Sequence, residues 1–147
     1  MVIGVIGESC TGKSTLADKL KCLLPAEVYT GKDYLRLAKN EANAIKLFQE
    51  KLNAAVCGLH IIYVISDKEH LPLLPQKAFR ILVTADLDVI KERFAQRMGG
   101  NLPAPVAAML EKKHGCFDDE SHDFHVIADR DDLDEVCLSI QSMINAL

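Results

Sequence analysis

Two glycines five residues apart, followed at once by lysine and serine, constrain this chain more than any other feature: Gly7-Glu8-Ser9-Cys10-Thr11-Gly12-Lys13-Ser14. The segment stands between a short apolar run, Val2-Ile3-Gly4-Val5-Ile6, and a stretch in which Leu16, Leu20, Leu23 and Leu24 recur at helical spacing before Pro25. The run reads as a strand buried on both faces, and the stretch as an amphipathic helix. A tight turn from buried strand to helix is therefore expected. Gly7 and Gly12 let its backbone bend until consecutive N–H groups point inward, where they and the positive end of the helix attract an anion.

The pattern is GxxxxGK[ST] in the strand-loop-helix context that gives it meaning, and it implies a P-loop holding a nucleoside triphosphate. Lys13 is expected to reach the β- and γ-phosphates, and the Ser14 hydroxyl to ligate Mg²⁺. Glu8, Ser9, Cys10, Thr11 and Thr15 complete the expected ATP cradle. Cys10 reads as a small filler or as an oxidisable thiol. A P-loop alone does not separate kinases from GTPases, motors or other ATPases. No DxxG-like switch or NKxD-like base-reading motif stands in the sequence, and a motor needs a longer chain.

The 147 residues fit one domain, spanning 1–147, with a core of useful size. Downstream of the loop, Glu27-Val28-Tyr29-Thr30 is a weaker strand candidate stopped by Gly31, and Ala42, Ile45, Phe48, Leu52, Ala55 and Val56 line one face of a long helix. A loop at Gly58 precedes a strong strand, Ile61-Ile62-Tyr63-Val64-Ile65. Leu71-Pro72-Leu73-Leu74-Pro75 reads as an irregular link to a strand at Phe79-Arg80-Ile81-Leu82-Val83. Leu87, Ile90, Phe94 and Met98 mark a helix ended by Gly99-Gly100, and a shorter helix after Pro105 carries Val106, Met109 and Leu110. Phe124-His125-Val126-Ile127 is a last strand. The final helix has Asp131 as expected N-cap and a stripe of Leu133, Val136, Ile140, Met143 and Leu147. Strands alternating with helices imply right-handed crossovers and a parallel sheet covered on both faces, an α/β fold of three α/β/α layers with about five strands.

A net charge of -4 and a pI near 5.7 give no sign of a nucleic-acid surface. The five cysteines form no CxxC pair, so neither a zinc site nor a disulfide framework is suggested, and the thiols suit a reducing cytoplasm. No apolar run approaches membrane-spanning length. The acidic run 118–123 reads as a solvated loop, and His60, His70, His114 and His125 form no constellation.

From Ile61 to Arg97 the chain resembles cytidylate kinase and its relatives among the nucleoside monophosphate kinases. The likeness lies in an apolar strand ending in Ser66-Asp67, a proline-containing link, Lys77-Ala78-Phe79-Arg80-Ile81-Leu82-Val83-Thr84-Ala85, and a helix carrying Glu92-Arg93 and Arg97. The tail, His122-Asp123-Phe124-His125-Val126-Ile127-Ala128-Asp129, is similar to the final strand and base-side loop of these kinases. Shikimate and gluconate kinases share the same core. The resemblance implies strand order 2-3-1-4-5, an acceptor-binding region over 31–58, and a short lid over 97–115 hinged near Gly99-Gly100-Asn101. It also implies that Asp33 contacts the phosphoryl acceptor and takes its proton, and that Arg130 stacks on adenine; Arg36, one turn beyond Asp33, is placed to grip an anionic acceptor, or else the two residues read as a capped helix start with a solvent-exposed arginine.

Asp67, just beyond a strand's C-terminal end, is placed either to hold Mg²⁺ through water and orient the acceptor, or to cap a helix. Arg93 and Arg97, four apart on one helix flank, are placed either to stabilise the transferring phosphoryl group or to form surface salt bridges. Beyond Arg97 the lid region has only Lys112 and Lys113 as cations. The expected activity is transfer of the γ-phosphate of Mg-ATP to a small-molecule acceptor, with a nucleoside monophosphate first. A metabolite of the shikimate or gluconate kind comes second, and an ATP-binding regulator with little transfer third.

Overall fold

The computed structural model describes residues 1–55 and 60–147. Five parallel strands, β1 (Val2–Ile6), β2 (Ala26–Thr30), β3 (His60–Ile65), β4 (Phe79–Thr84) and β5 (Phe124–Ile127), form one sheet in the order β2-β3-β1-β4-β5. The expected α/β architecture and strand order are therefore observed. The central strand β1 pairs with β3 on one side, Val2 opposite Ile61, and with β4 on the other, Ile3 opposite Phe79.

Strand periodicity distributes β1 between two apolar layers. Ile3 and Val5 pack toward α1 (Lys13–Leu23) and the C-terminal helix, while Val2 and Ile6 pack toward α2 (Glu41–Ala55). Both faces of β1 are covered, so all five of its residues are buried, as its continuous apolar run implies.

The second layer is organised by aromatics. Phe48 of α2 sits among Tyr29, Tyr34 and Tyr63, with ring centroids 5.0, 5.5 and 4.9 Å away. This cluster sets the rotation of α2, whose buried face is Ala44, Phe48, Leu52 and Ala55. Ala42, expected inside, is exposed, and Ile45 is half-buried. Val56 and the loop at Gly58 lie outside the described residues.

The remaining helices are α3 (Leu87–Arg97), α4 (Ala104–Lys113) and α5 (Leu133–Asn145). Ile90 of α3 and Leu110 of α4 bury each other over Cys10 and Ala85, so the two helices roof the P-loop end of the sheet. Met98 and Met109, expected on inner faces, are 44% and 39% exposed because only a narrow stripe of each helix meets the other. α4 begins one residue before Pro105, which occupies its first turn, where a missing N–H costs nothing.

Two expectations about the chain's irregular parts are corrected. The link at 71–75 is partly ordered, as residues Lys68–Leu73 form a 3₁₀ helix that includes Pro72. The N-cap of α5 is Asp132, whose carboxylate accepts from the Asp134 and Glu135 amides at 2.9 and 3.4 Å. Asp131 instead turns back and accepts the Ile127 N–H at 2.8 Å, closing the turn after β5. The buried stripe of α5 is Val136, Cys137, Ile140 and Ile144, which packs on α1, while Met143 and Leu147 are 39% and 80% exposed.

Candidate active site

β1 delivers its chain directly into the P-loop. The Gly7 amide donates to the Ile65 carbonyl at 3.1 Å, tying the loop's start to the end of β3. On the other side the loop presses against β4, and a methyl group at Gly7 would lie 2.3 Å from the Val83 carbonyl oxygen, so only glycine fits. Gly12 enters α1 with φ 96°, a left-handed conformation that spares glycine the strain other residues would bear. Cys10 adopts φ 65° within the same turn.

Lys13 is 5% exposed, and its ammonium donates to the Glu8 backbone carbonyl. Thr11 Oγ1 donates to the same carbonyl at 2.8 Å. Burial pulls the Lys13 pKa down from 10.5 to about 8; Arg97 adds to the fall, while Cys10 and Glu8 oppose it. A buried ammonium satisfied by a backbone carbonyl and crowded by a guanidinium is a cation short of a counter-anion. Phosphate oxygens would supply one. Ser14 and Thr15, at the start of α1, are exposed beside it.

α3 brings both arginines to this loop. Arg93 Nη1 donates to the Cys10 carbonyl at 3.1 Å, and Arg97 acts electrostatically on Lys13. Together with Gly12, Thr15, Ala128 and Leu133 they line a cleft of about 480 Å³. Ala128 directly follows β5, and Leu133 is the first residue of α5. Sequence reasoning missed them as site residues, because Leu133 reads as one more member of the α5 stripe.

Arg130, expected to stack on adenine, is placed away from that cleft. Its Nη2 lies 3.4 Å from Asp86 Oδ2, and it lines a separate cavity over β4 and β5. Residues of Glu8, Thr84, Asp118 and His125 also line that cavity. His114, at the end of α4, sets Nδ1 3.2 Å from Glu8 Oε1. No spacing pattern links these two residues, which stand 106 positions apart.

The β2–β3 side of the sheet carries the other candidates. Asp33 opens the 3₁₀ helix Asp33–Leu37, and its Oδ2 accepts the Thr30 N–H at 2.9 Å. Asp67 caps the helix that follows it, accepting the Glu69 N–H at 3.1 Å. Each carboxylate thus stabilises a local turn at the C-terminal edge of the sheet. The Tyr63 hydroxyl holds the two segments together by donating to the Gly31 carbonyl at 2.8 Å. Burial, with Tyr34 and Asp33 nearby, pushes its pKa above the ordinary phenol value. Arg36 lies with its guanidinium carbon 4.5 Å from the Tyr29 ring centroid, on the outermost strand.

The residues present fit Mg-ATP. Gly7 and Gly12 open the cradle, Lys13 is the buried cation, and Arg93 and Arg97 flank the cleft beyond it. Among the described residues no group of three or more His, Cys, Asp or Glu side chains is arranged to hold a metal ion. Among the described residues no helix is long and apolar enough to cross a membrane.

No protein-family model and no curated protein matches the sequence. Solved structures are similar in shape. A sugar kinase from Janibacter sp. HTCC2649 superposes with a TM-score of 0.67 at 15% identity, over 98% of this chain and 94% of that one. Shikimate kinase from Acinetobacter baumannii, in complex with shikimate, gives 0.64 at 14%, over 99% and 93%. A gluconokinase from Sinorhizobium meliloti 1021 gives 0.62 at 14%, over 96% and 89%. At these identities the likeness speaks for architecture: the chain has the five-stranded P-loop fold of these small-molecule kinases.

Proposed function

We propose that this protein is a cytoplasmic kinase that transfers the γ-phosphate of Mg-ATP to the hydroxyl of a small, non-nucleotide metabolite. The observation that carries this reading is the buried Lys13 in its P-loop, with Arg93 and Arg97 of α3 converging on the same loop from across the fold. Phosphoryl transfer spreads negative charge over three equatorial oxygens, so catalysis consists mainly of positioning and charge stabilisation. The loop amides and Lys13 would hold the β- and γ-phosphates. Arg97 would meet the transferring group, and Arg93, already on the Cys10 carbonyl, would stiffen the loop as well as add charge.

Ser14, and Asp67 through water, would hold Mg²⁺, which would supply charge neutralisation at the phosphates. The cleft lined by Arg93, Arg97, Ala128 and Leu133 would take the nucleoside, which leaves Arg130 without a part in base stacking. Asp33 would orient the acceptor.

The acceptor preference rests on Arg36. A nucleoside monophosphate calls for cations on the acceptor side, and Arg36 lies over Tyr29 on the sheet's edge. The structurally similar sugar, shikimate and gluconate kinases lend the same preference support. A coupled assay measuring ADP release across sugars, hydroxy acids and nucleoside monophosphates tests the reading. Turnover with a metabolite that disappears in Lys13→Ala is the expected result. Tight ATP binding with no transfer to any panel member would favour an ATP-binding regulator instead.

A further inference from the structure

Two short 3₁₀ helices follow β2 and β3 at the C-terminal edge of the sheet, and each turns one ring inward. In Asp33–Leu37 the ring is Tyr34, 4% exposed; in Lys68–Leu73 it is His70, 6% exposed. The second helix also carries Leu71 and Leu73, yet both are only half-buried. Burying a histidine in preference to a leucine costs stability unless its nitrogens are paired, and neither Nδ1 nor Nε2 of His70 has a hydrogen-bond partner. The ring sits beside two others, its centroid 6.2 Å from that of Tyr34, edge-on, and 6.4 Å from that of Tyr63. Glu69 Oε1 lies 3.4 Å from Nε2 without completing a hydrogen bond, at the end of a side chain that is 59% exposed.

This corner also holds Asp33. Burial raises the Tyr63 pKa, and Tyr34, Asp33 and Glu69 add to the rise, so both carboxylates lie near the one phenol. The Tyr63 hydroxyl is occupied, since it donates to the Gly31 carbonyl at 2.8 Å. Asp67 is committed to the Glu69 amide. His70 is the buried polar group here with hydrogen-bonding capacity to spare. The corner adjoins the phosphate cradle as well: β3 ends against the P-loop, with the Gly7 amide on the Ile65 carbonyl. A molecule held just beyond β3 therefore lies beside the loop.

We propose that His70 binds a hydroxyl of the acceptor other than the one that receives the phosphate, and that the acceptor is therefore a polyhydroxylated compound. The exposed Glu69 side chain swings off Nε2, and the acceptor hydroxyl takes its place. A hydroxyl both donates and accepts, so it pairs with the imidazole in either tautomer and in either charge state. The inference rests on the kinase reading above. It adds a specificity residue and a substrate class, on the side of the sheet where Asp33 would orient the acceptor. No covalent bond forms or breaks at His70, which serves to hold the acceptor in register with the loop.

The full chain with Mg-ATP is to be assayed against glucose, gluconate, shikimate and glycerol, each beside its monodeoxy analogues, as wild type, His70→Phe, His70→Leu and His70→Gln. The two apolar variants should raise KM for the acceptor by roughly 10–100-fold, the scale of a hydroxyl left without its partner, with KM for ATP unchanged. His70→Gln, whose amide reaches about as far as Nε2 and both donates and accepts, should restore most of the affinity. One deoxy analogue should be a poor acceptor for wild type and no poorer than its parent for His70→Phe, the coupling expected of a direct contact. Without ligand, His70→Leu should melt at or above wild type, because it removes two unsatisfied nitrogens from the interior. A wild-type acceptor KM in both apolar variants, whatever their Tm, would overturn the proposal while leaving the kinase reading standing. So would equal sensitivity of wild type and His70→Phe to every deoxy analogue. Transfer to no acceptor at all would overturn both.

Discussion

Replacing Lys13 by methionine should stabilise the ligand-free protein while destroying its hold on ATP. The Lys13 ammonium is buried, and its pKa falls from 10.5 to about 8. One pH unit of displacement corresponds to about 1.4 kcal/mol, so keeping the charge in the folded chain costs on the order of 3 kcal/mol. Methionine fills similar space without the charge. It removes one donor from the Glu8 carbonyl, a loss of about 1 kcal/mol, although Thr11 still donates to that oxygen at 2.8 Å. The net gain is roughly 2 kcal/mol, or roughly 4–8 °C in Tm for a chain of this size.

The sign can be checked against pH. Between about 8 and 10.5 the unfolded lysine keeps a proton that the folded one releases, so wild-type stability rises with pH across that window. Below the window both forms are protonated and the penalty is complete. The advantage of Lys13→Met should therefore be greatest at neutral pH and should fade as pH climbs through the window. Thermal and urea denaturation of both proteins at a series of pH values reads this directly. A Lys13→Met variant that melts at or below wild type at pH 7 would refute the argument.

Five further outcomes are expected. Phosphates should return the Lys13 proton, so ATP binding above pH 8 should be accompanied by proton uptake, seen as a dependence of calorimetric enthalpy on buffer ionisation. Gly7→Ala should cost at least roughly 1–3 kcal/mol of stability and most ATP affinity, because its methyl group would meet the Val83 carbonyl at 2.3 Å. Arg97→Ala should cut kcat by about 10³ with a small change in stability, measured by steady-state kinetics and melting. Asp132→Ala should destabilise by about 1 kcal/mol through loss of the α5 cap, whereas Asp33→Asn should raise KM for the acceptor and leave KM for ATP alone.

What could be read along the chain was what is built from neighbours. The P-loop needs a buried strand, two glycines and a helix start within a dozen or so positions, and all of them lie in one stretch. Asp67 as a helix cap is equally local, since its partner is the amide two residues on. Features built by packing were legible only in part: Phe48, Leu52 and Ala55 were expected on the buried face of α2 and lie there, whereas Ala42 is exposed and Ala44 is buried instead. The inner face of α2 is chosen by Tyr29, Tyr34 and Tyr63, which come from separate elements. Composition could not choose between Asp131 and Asp132 as the cap of α5, because either carboxylate suits the role. The hydrogen bond from the Ile127 amide to Asp131 decides it.

The site divides in the same way. Lys13 and Ser14 were visible from the motif, and Arg93 and Arg97 from their shared helix flank. That Arg93 reaches the Cys10 carbonyl, 83 positions away, is a property of the fold alone. So is the meeting of His114 with Glu8, which turns a histidine without a local pattern into part of the P-loop's surroundings. Arg130 shows the reverse: its position after β5 matched an expectation, and its side chain goes to Asp86 on the other side of the turn.

The most direct test of the central claim follows the γ-phosphate itself. Protein is incubated with Mg-ATP labelled in that group and with mixed sugars, amino sugars, hydroxy acids and nucleoside monophosphates, and the products are separated. The account predicts label in a small organic phosphate with wild-type protein and none above background with Lys13→Ala. Label that remains in ATP, or reaches only inorganic phosphate, or moves equally well with Lys13→Ala, would contradict it.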